Sequence, residues 1–424
     1  MILYLALFFG FLVLGMPVAL GLGMASLVYL LIEGHGHLLI AFPQRMIAGI
    51  DNFLLLTIPF FILAGNLMNA ANLTAHIVRA AQFLVGRIKG GLAVVNVLAN
   101  FMLSGPSGAA TSEAAAIGSI MIPPMKRDGY DPAYAAALTA TGSLLGPLIP
   151  PSLPLILFGV LTGTSIGDLF LAGVMPGLIL GVLLLVYALW KGHRENHPVA
   201  PPVPKAERWS ILHAAIPAVG LPIFIVVGIR TGMFTPTEAA AVACIYALAT
   251  GIFVYRSLPW SVLKKCFYDT ATMSAGVMLV VAMASMTAFV LGIESLPTKI
   301  ATAILGMTDS PIILIILLNI ILLVLGLFLE PLAAMVLVMP VLNALAPTIG
   351  MDPVQLGVMV VLNLMIGMCT PPVGLVLFIV SSIARSPIQK VTVASLPMLG
   401  LCVIVLVLVA AVPGISLFIP SLFH

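Results

Sequence analysis

Two stretches decide the fold, because each interrupts a long apolar segment with adjacent prolines: Gly146-Pro147-Leu148-Ile149-Pro150-Pro151-Ser152 and Gly367-Met368-Cys369-Thr370-Pro371-Pro372. A proline has no backbone N–H, and its ring clashes with the preceding turn, so neither stretch continues a helix. Carbonyl groups near each break therefore lose a donor that a regular helix would supply. The sequence predicts two helices that are each broken within apolar surroundings.

The composition is that of a membrane protein. Of the 424 residues, 62% are apolar and only 7% are charged, and the mean hydropathy is +1.23, whereas a soluble domain carries about 25% charged residues. A soluble enzyme is excluded, and the chain contains no Walker motif or hydrolytic triad. Its cysteines and histidines show no metal-ligand spacing, so we predict no transition-metal site. The fold class predicted is an all-α polytopic membrane protein in a lipid bilayer.

Two further apolar segments are interrupted by short non-helical stretches. The segment 90–125 contains Ser104-Gly105-Pro106-Ser107-Gly108, and the segment 310–346 contains Gly326 and Glu330-Pro331. Each pattern predicts two short helices that meet at a tip, which is a re-entrant hairpin. Such backbone is tolerated at membrane depth where protein or a water-filled cavity surrounds it.

The distribution of basic residues supports this topology. If both hairpins re-enter, the loops near 79–89, 126–131, 191–208, 256–269 and 385–390 lie on one side and hold 14 of the 17 Lys and Arg residues. Only Arg45, Arg230 and Lys299 remain for the other side. Basic loops are cytoplasmic, so the first hairpin enters from the cytoplasm and the second from outside. Because the basic residues follow the membrane sides, the net charge of +3 does not indicate nucleic-acid binding.

The two halves of the chain match at constant displacements. Asp131-Pro132, Gly146 and Pro150-Pro151 recur 221 residues later, and Glu113 and Pro123 recur 217 residues later. Residues 1–190 are predicted to form a first repeat, with the hairpin at about 90–125 and the broken helix at about 132–165. Residues 191–210 form a Pro-rich cytoplasmic linker, and residues 211–424 form a second repeat with the hairpin at about 310–346 and the broken helix at about 353–384. Inverted repeats with broken helices are typical of secondary transporters that bind substrate near the bilayer midplane.

Each hairpin tip is expected to face the break of its own half, where free carbonyls and hydroxyls suit a dehydrated Na+. We therefore predict two pseudo-symmetric Na+ sites, one formed by Ser104, Gly105, Ser107, Gly142, Gly146 and Pro150, and the other by Gly326, Asn363, Gly367, Thr370 and Pro371. Small donors at a helix N-terminus favour a substrate carboxylate. The predicted substrate-binding residues are Ser107, Gly108, Thr111, Ser112, Ser152 and Thr370. The alternative for the small residues is tight helix packing.

Three acidic residues lie inside apolar segments, where a charge is costly and indicates function. Glu113 and Glu330 follow the hairpin tips, and they are candidates for ion coupling or gating. Both also lie near helix N-termini, where the helix dipole stabilises a carboxylate without any ligand. Glu238 follows Thr235-Pro236 and is expected to cap a helix.

The chain resembles the large membrane subunit of tripartite ATP-independent periplasmic (TRAP) transporters, the DctM-like family, over nearly its whole length. The resemblance rests on the tip Ser104-Gly105-Pro106-Ser107-Gly108-Ala109-Ala110, the Gly-x3-Pro-Pro breaks of both halves, and Thr235-Pro236-Thr237-Glu238-Ala239-Ala240-Ala241. It implies a Na+-driven importer of organic acids in a bacterial inner membrane that moves its substrate by an elevator motion. It also implies two partners, a small four-helix membrane subunit and a soluble periplasmic substrate-binding protein. The resemblance implies a sialic acid, a C4-dicarboxylate or a keto acid as substrate. The sequence itself does not distinguish them, and we expect sialic acid (N-acetylneuraminate) or a C4-dicarboxylate.

Two other functions fit the same pattern of broken helices. A stand-alone Na+/dicarboxylate symporter of related architecture would need no partners. A channel also contains broken helices and re-entrant segments, but it would not concentrate a substrate against its gradient.

Overall fold

The computed structural model describes residues 2–86, 88–103, 109–199, 208–293, 295–306, 308 and 310–422. Within these ranges the regular structure is helical, and no strand is present. The helices are, in chain order, α1 Ile2–Val13, α2 Val18–Ile32, α3 Ala41–Ile50, α4 Thr57–Ala70, α5 Leu73–Val85, α6 Gly91–Leu103, α7 Ala110–Arg127, α8 Pro132–Gly142, α9 Leu153–Thr162, α10 Ile166–Arg194, α11 Arg208–Arg230, α12 Pro236–Ala249, α13 Trp260–Ile293, α14 Leu296–Leu305, α15 Pro311–Phe328, α16 Pro331–Ile349, α17 Pro353–Met368, α18 Leu375–Ala384, α19 Ile388–Ala411 and α20 Pro413–Ser421. Among the described residues, eight helical segments are long and apolar enough to cross a membrane. The predicted all-helical, polytopic fold class is confirmed.

Residues 2–32 form the two helices α1 and α2. Gly15, between them, has a φ of +83°, a backbone conformation that glycine adopts without steric cost. Pro17 directly precedes the first residue of α2. Local turn chemistry therefore divides this segment.

The helices α6 and α7 lie on either side of the first predicted tip, and α15 and α16 on either side of the second. The first turn of α7 carries Glu113 and its last turn carries Lys126 and Arg127, an order that complements the helix dipole. The helix α16 begins with Pro331 directly after Glu330. Proline is favoured at this position because the first helical residue needs no N–H donor. Residues 104–108 lie outside the described residues.

The two broken helices start in the same way. Asp131 caps α8 by accepting a hydrogen bond from the Ala133 amide at 3.0 Å, and Asp352 caps α17 through the Val354 amide at 2.8 Å. The helix α8 ends at Gly142, and α9 begins at Leu153 after a short 3-10 turn and a non-helical stretch. The helix α17 ends at Met368, and α18 begins at Leu375. Both Pro-Pro bonds, Pro150-Pro151 and Pro371-Pro372, are cis.

Each pair of hairpin helices packs against the broken helix of its own half. The helices α6 and α7 contact α8, and α15 and α16 contact α17. The halves are also joined directly, because α7 packs against α18. The Lys126 ammonium donates a hydrogen bond of 2.6 Å to the Ala384 carbonyl at the end of α18. The ends of α7 and α18 therefore lie at the same face of the molecule.

A second group of helices, α4, α12 and α13, is held together by polar contacts within apolar surroundings. The hydroxyls of Thr57 and Thr237 lie 2.9 Å apart, and the Asn66 amide donates to Thr270 at 2.9 Å. In apolar surroundings such paired polar groups stabilise helix association modestly. This group flanks the second hairpin, because α13 packs against α16.

The predicted linker 191–210 is shorter than expected at both ends. The helix α10 continues to Arg194 and α11 begins at Arg208, so residues 191–194 and 208–210 are helical. Residues 200–207 lie outside the described residues. The lysine and arginine in the last turn of α10 complement the carboxyl end of the helix dipole, which explains why the polar sequence remains helical.

The chain leaving α10 is fixed by a cluster that we call the His197 cluster: Tyr130, Tyr134, Lys191, Glu195 and His197. The His197 ring lies 4.1 Å from the Tyr130 ring centroid and 5.9 Å from that of Tyr134. Its Nε2 is 3.1 Å from Glu195, whose other carboxylate oxygen pairs with Lys191 at 2.9 Å. The Lys191 ammonium also lies 4.7 Å from the Tyr134 ring centroid. The start of the linker is therefore attached to α8 and the turn before it.

Candidate functional site

In the second half, the end of α15 meets the end of α17 through two glycines. Gly326 does not interrupt the hairpin helix as predicted, because both glycines lie in the last turns of their helices. A Cβ on Gly367 would lie 2.7 Å from the Cα of Gly326, and a Cβ on Gly326 would lie 2.8 Å from the Leu364 carbonyl oxygen. Only residues without a side chain allow α15 to approach α17 so closely. The structure thus brings together Gly326 and Gly367, two members of the predicted second Na+ site.

The other members of that predicted site make contacts of their own. Asn363 is fully buried, and its Nδ2 donates to the Asn319 backbone carbonyl at 2.9 Å and to Asn319 Oδ1 at 2.6 Å. The Oδ1 of Asn363 is buried without a hydrogen-bond partner, so it retains the capacity to accept. The Thr370 hydroxyl donates to the Ile366 carbonyl at 2.7 Å and keeps its lone pairs for a further contact. Pro371, the first proline of the break, is half-buried.

In the first half, the structure places a carboxylate at the helix break. A Cβ on Gly146 would lie about 2 Å from the Glu113 carboxylate, with 1.9 Å to its Oε2. Glu113 is only 4% exposed. The sequence predicts Gly146 as a Na+ ligand and Glu113 as a coupling residue in separate roles, whereas the structure brings them into direct contact. Carboxylate and carbonyl oxygens are the ligands that hard cations prefer.

Three further first-half residues, Gly142, Pro150 and Ser152, are buried. A Cβ on Gly142 would lie 2.8 Å from the Asn100 Nδ2, so this glycine makes room for an amide of α6. Ser152 is fully buried, donates to the Pro147 carbonyl and accepts from the Leu155 amide at 3.3 Å, which makes it the N-cap of α9. Ser104, Gly105, Ser107 and Gly108 lie outside the described residues, so their predicted roles stay predictions.

The two hairpins and the start of α9 meet at a small cavity of about 20 Å³, which is room for about one water molecule. Thr111 of the first hairpin and Glu330 of the second both line it, together with Leu153 and Met368. The structure therefore brings Thr111 and Glu330 together from opposite halves. The predicted substrate residues Ser112, Ser152 and Thr370 are not among the lining residues, and a cavity of this volume does not admit an organic acid.

The three acidic residues differ in their surroundings. Glu113 is buried, as described above. Glu330 is exposed and occupies the N-cap of α16 without a capping hydrogen bond from its side chain. Glu238 forms a capping box with Thr235, whose amide donates to the Glu238 carboxylate at 2.8 Å. The expectation that Glu238 caps a helix is confirmed.

Sequence patterns do not single out Asn96 and Asn319, the hairpin asparagines that bond to the broken helices, although Asn363, the partner of Asn319, is predicted. In the first half, the Asn96 amide donates to the Thr139 hydroxyl at 2.7 Å, and Asn100 donates to Asn96 at 2.9 Å. In the second half, Asn319 of α15 meets Asn363 of α17. A signal was present, because Asn319 is the only polar side chain in α15, and a polar residue within an apolar helix usually faces a partner.

The model of one protein family, the DctM component of tripartite ATP-independent periplasmic transporters, matches residues 5–415. The chain belongs to this family. It is 40% identical to the sialic acid TRAP transporter large permease protein SiaM of Vibrio cholerae, an alignment that covers 98% of this chain and 97% of that protein. The resemblance inferred from the sequence motifs is thereby confirmed.

Another relative has a longer chain. The isethionate TRAP transporter permease protein DctMQ of Oleidesulfovibrio alaskensis is 37% identical over 96% of this chain, which covers 64% of that protein. Among solved structures, the YdaH transporter of Alcanivorax borkumensis is similar, with a TM-score of 0.62 over 90% of this chain and 89% of YdaH. Its sequence identity is 14%, so this likeness concerns the fold alone.

Proposed function

We propose that this chain is the large transmembrane subunit of a Na+-coupled TRAP transporter that imports an organic acid across a bacterial inner membrane. The observation that carries the proposal is the meeting of each hairpin with the helix break of its own half, in a member of the DctM family. One contact joins Gly326 to Gly367, and the other joins Glu113 to Gly146. Both bring hairpin residues to a helix break within an apolar interior, and broken helices in transporters bind ions and substrate.

The proposed Na+ sites use oxygen ligands of two kinds. In the second half, the unpartnered Oδ1 of Asn363 and the carbonyls near Gly326 and Gly367 are neutral donors. In the first half, the Glu113 carboxyl group against Gly146 adds side-chain oxygen ligands. Two such sites imply more than one Na+ per substrate.

The proposed substrate is sialic acid, with a C4-dicarboxylate as the alternative. The 40% identity to the V. cholerae SiaM protein over nearly the whole chain supports sialic acid. The identity of 37% to an isethionate permease is close to this value.

The proposed mechanism is an elevator motion of two inverted repeats. The hairpins and the broken helices pack as one group, and α4, α12 and α13 form a second group joined by its own polar contacts. A rigid displacement of the first group against the second would carry the hairpin residues Thr111 and Glu330 between the two sides. This division of contacts supports a moving unit and a stationary one.

The decisive experiment is uptake into proteoliposomes against an imposed Na+ gradient. We expect uptake to require Na+ with a Hill coefficient above one. Thr370→Val keeps the side-chain volume and removes the hydroxyl, so we expect weaker Na+ activation at unchanged expression. Thr272→Val is the matched control, since the exposed Thr272 hydroxyl also donates to a carbonyl one turn back, at 3.0 Å. Proton-driven uptake that is indifferent to Na+ would overturn the proposal.

Two partners are part of the proposal, a small four-helix membrane subunit and a periplasmic substrate-binding protein. The relative DctMQ supports the first, because it extends well beyond the length of this chain. We expect transport only when the substrate-loaded binding protein is added to the reconstituted membrane complex. Saturable uptake by this chain alone would favour the stand-alone Na+/dicarboxylate symporter, and passive equilibration of substrate would favour a channel.

A further inference from the structure

A groove between α15 and α19, with α17 as its floor, forms the largest of the cavities described, with a volume of about 660 Å³. We call it the α15–α19 groove. Apart from Asn319 of α15 and Asn363 of α17, its lining is aliphatic, and it includes Ile312 and Leu323 of α15. It lies apart from the small cavity at Thr111 and Glu330.

The direction of the helices gives the groove its orientation. Asn319 and Gly326 of α15 contact Asn363 and Gly367 of α17 in the same order, so α15 and α17 run parallel. Gln355, at the start of α17, donates to the Val409 carbonyl near the end of α19 at 2.8 Å. The helix α19 is therefore antiparallel to both, and Ala410 lies at the same end of the groove as Ile312.

The length of the groove corresponds to one leaflet of a bilayer. The lining residues of α15 extend from Ile312 to Leu323, which is about 16 Å along a helix. Half of a hydrocarbon core is about 15 Å thick. Ile312 lies next to the first residue of α15, so the groove runs from one end of the hairpin toward its tip.

The rim of the groove continues into an exposed apolar surface. Ile316 is 54% exposed and Val407 is 59% exposed, and both line the groove. The first arm of the other hairpin differs, because α6 is packed against α5 and α10 and is buried over most of its length. Only one face of α15 is buried.

The size of the groove selects the occupant. A stable protein interface uses about 20–30 residues on each side, whereas 12 residues line this groove. A single extended hydrocarbon chain matches both the length and the apolar lining.

We propose that the α15–α19 groove binds one acyl chain of a membrane phospholipid. The acyl chain lies over the amides of Asn319 and Asn363, which join the second hairpin to its broken helix. By keeping water away, it preserves the low dielectric in which these hydrogen bonds are strongest. The lipid thereby supports the attachment of the second hairpin.

The test uses the full chain in vesicles of phosphatidylethanolamine and phosphatidylglycerol, with a trace of phosphatidylglycerol that carries a photoactivatable diazirine in mid-chain. Mass spectrometry of the irradiated protein should locate crosslinks in residues 312–323 and 403–411. The lipid-exposed helix α11 is the internal comparison, since Ile223 there is 60% exposed and lies outside the groove. We expect clear enrichment of the groove peptides over residues 216–227.

Val407→Trp should fill the groove and abolish that enrichment. Val393→Trp is the matched control, because Val393 is on the same helix, is 66% exposed and does not line the groove. The pair Ile316→Trp and Ile313→Trp repeats the comparison on α15, in case one variant fails to fold. Equal labelling of groove and α11 peptides, or unchanged labelling in both groove variants, would mean that the groove contacts only the ordinary surrounding lipid. Protection of 403–411 from the lipid probe would mean that protein covers the groove. Either result overturns the proposal.

Discussion

At the scale of single residues, two glycines face different kinds of neighbour. Gly146 has no side chain and so leaves room for the Glu113 carboxylate, which is the end of a flexible side chain. Gly367 instead leaves room for the backbone of Gly326. A carboxylate can move aside, but a helix backbone cannot move without shifting the whole hairpin. Added methyl groups in well-packed interiors cost about 1–3 kcal/mol when the surroundings cannot adjust.

We therefore predict that Gly367→Ala lowers the melting temperature of the purified protein clearly, whereas Gly146→Ala changes it little. Gly146→Ala should instead displace the Glu113 carboxylate and raise the Na+ concentration needed for half-maximal uptake. Gly400→Ala is the control, because nothing lies within 4 Å of the added methyl group, and it should be neutral or slightly stabilising. Equal melting temperatures for Gly367→Ala and Gly400→Ala would contradict the close approach of α15 and α17.

At the scale of helices, an asparagine of each hairpin bonds to its broken helix, Asn96 to Thr139 in the first half and Asn319 to Asn363 in the second. We predict that Asn319→Ala and Asn363→Ala are coupled in a double-mutant cycle of unfolding free energy, because their side chains share a hydrogen bond of 2.6 Å. Coupling between polar side chains of membrane helices averages about 0.6 kcal/mol and reaches about 1.7 kcal/mol. Asn319→Ala with Asn96→Ala, from different hairpins, is the control cycle and should be additive within about 0.5 kcal/mol. Additivity in both cycles would show that the Asn319–Asn363 hydrogen bond does not hold α15 against α17.

The ends of the broken helices can be predicted from the sequence, whereas the contacts between helices cannot. The Pro-Pro pairs and the Asp-Pro starts act through local backbone geometry, so the ends of α8, α9, α17 and α18 can be read from the chain. The contacts of Asn319 with Asn363 and of Glu113 with Gly146 depend on the register in which each hairpin packs along its broken helix. That register is set by tertiary packing of side chains. Polarity indicates that such residues need partners, but it does not identify the partner.

The end of α10 offers a pH-dependent element, the His197 cluster. Burial lowers the pKa of the His197 imidazole, and Glu195 opposes this effect without cancelling it. Lys191 also lowers the pKa of His197, and burial raises the pKa of the facing Tyr130 to about 12, so Tyr130 stays neutral. The unfolded chain, with an ordinary histidine pKa of about 6.5, binds the proton more readily than the folded protein does. The stability contributed by neutral His197 is therefore complete above about pH 6.5 and is lost as the pH falls toward the lower pKa of the folded state.

We predict that His197→Phe, which keeps a ring against Tyr130 but cannot titrate, makes the melting temperature less sensitive to pH between about 7.5 and 5.5. The measurement is the difference in melting temperature between this variant and the parent protein across the range. His213→Phe removes an exposed histidine of α11 and should leave that pH profile unchanged. A profile for His197→Phe that parallels the parent at every pH would show that the cluster does not carry the effect.

At the scale of the whole molecule, the structure fixes which ends of the helices share a face. The hydrogen bond from Lys126 to the Ala384 carbonyl places the ends of α7 and α18 together. The broken helix runs from Pro353 at the start of α17 to Ala384 at the end of α18, so Met351 and Ser386 lie at its opposite ends. The basic residues of the chain predict that the face with Arg127 and Ser386 is cytoplasmic.

We predict that single cysteines introduced as Arg127→Cys and Ser386→Cys react with a membrane-impermeant maleimide only from the cytoplasmic side, and that Met351→Cys reacts only from the outside. All four native cysteines are buried, so the parent protein should give little background, and a variant free of them is the reference. Inverted and right-side-out vesicles supply the two sides for each variant. Labelling of all three positions from one side would contradict the fold, because the broken helix could not then cross between the faces. Reversed labelling would leave the fold intact but place the first hairpin on the outside, and the assignment of the two repeats to their membrane sides would be wrong.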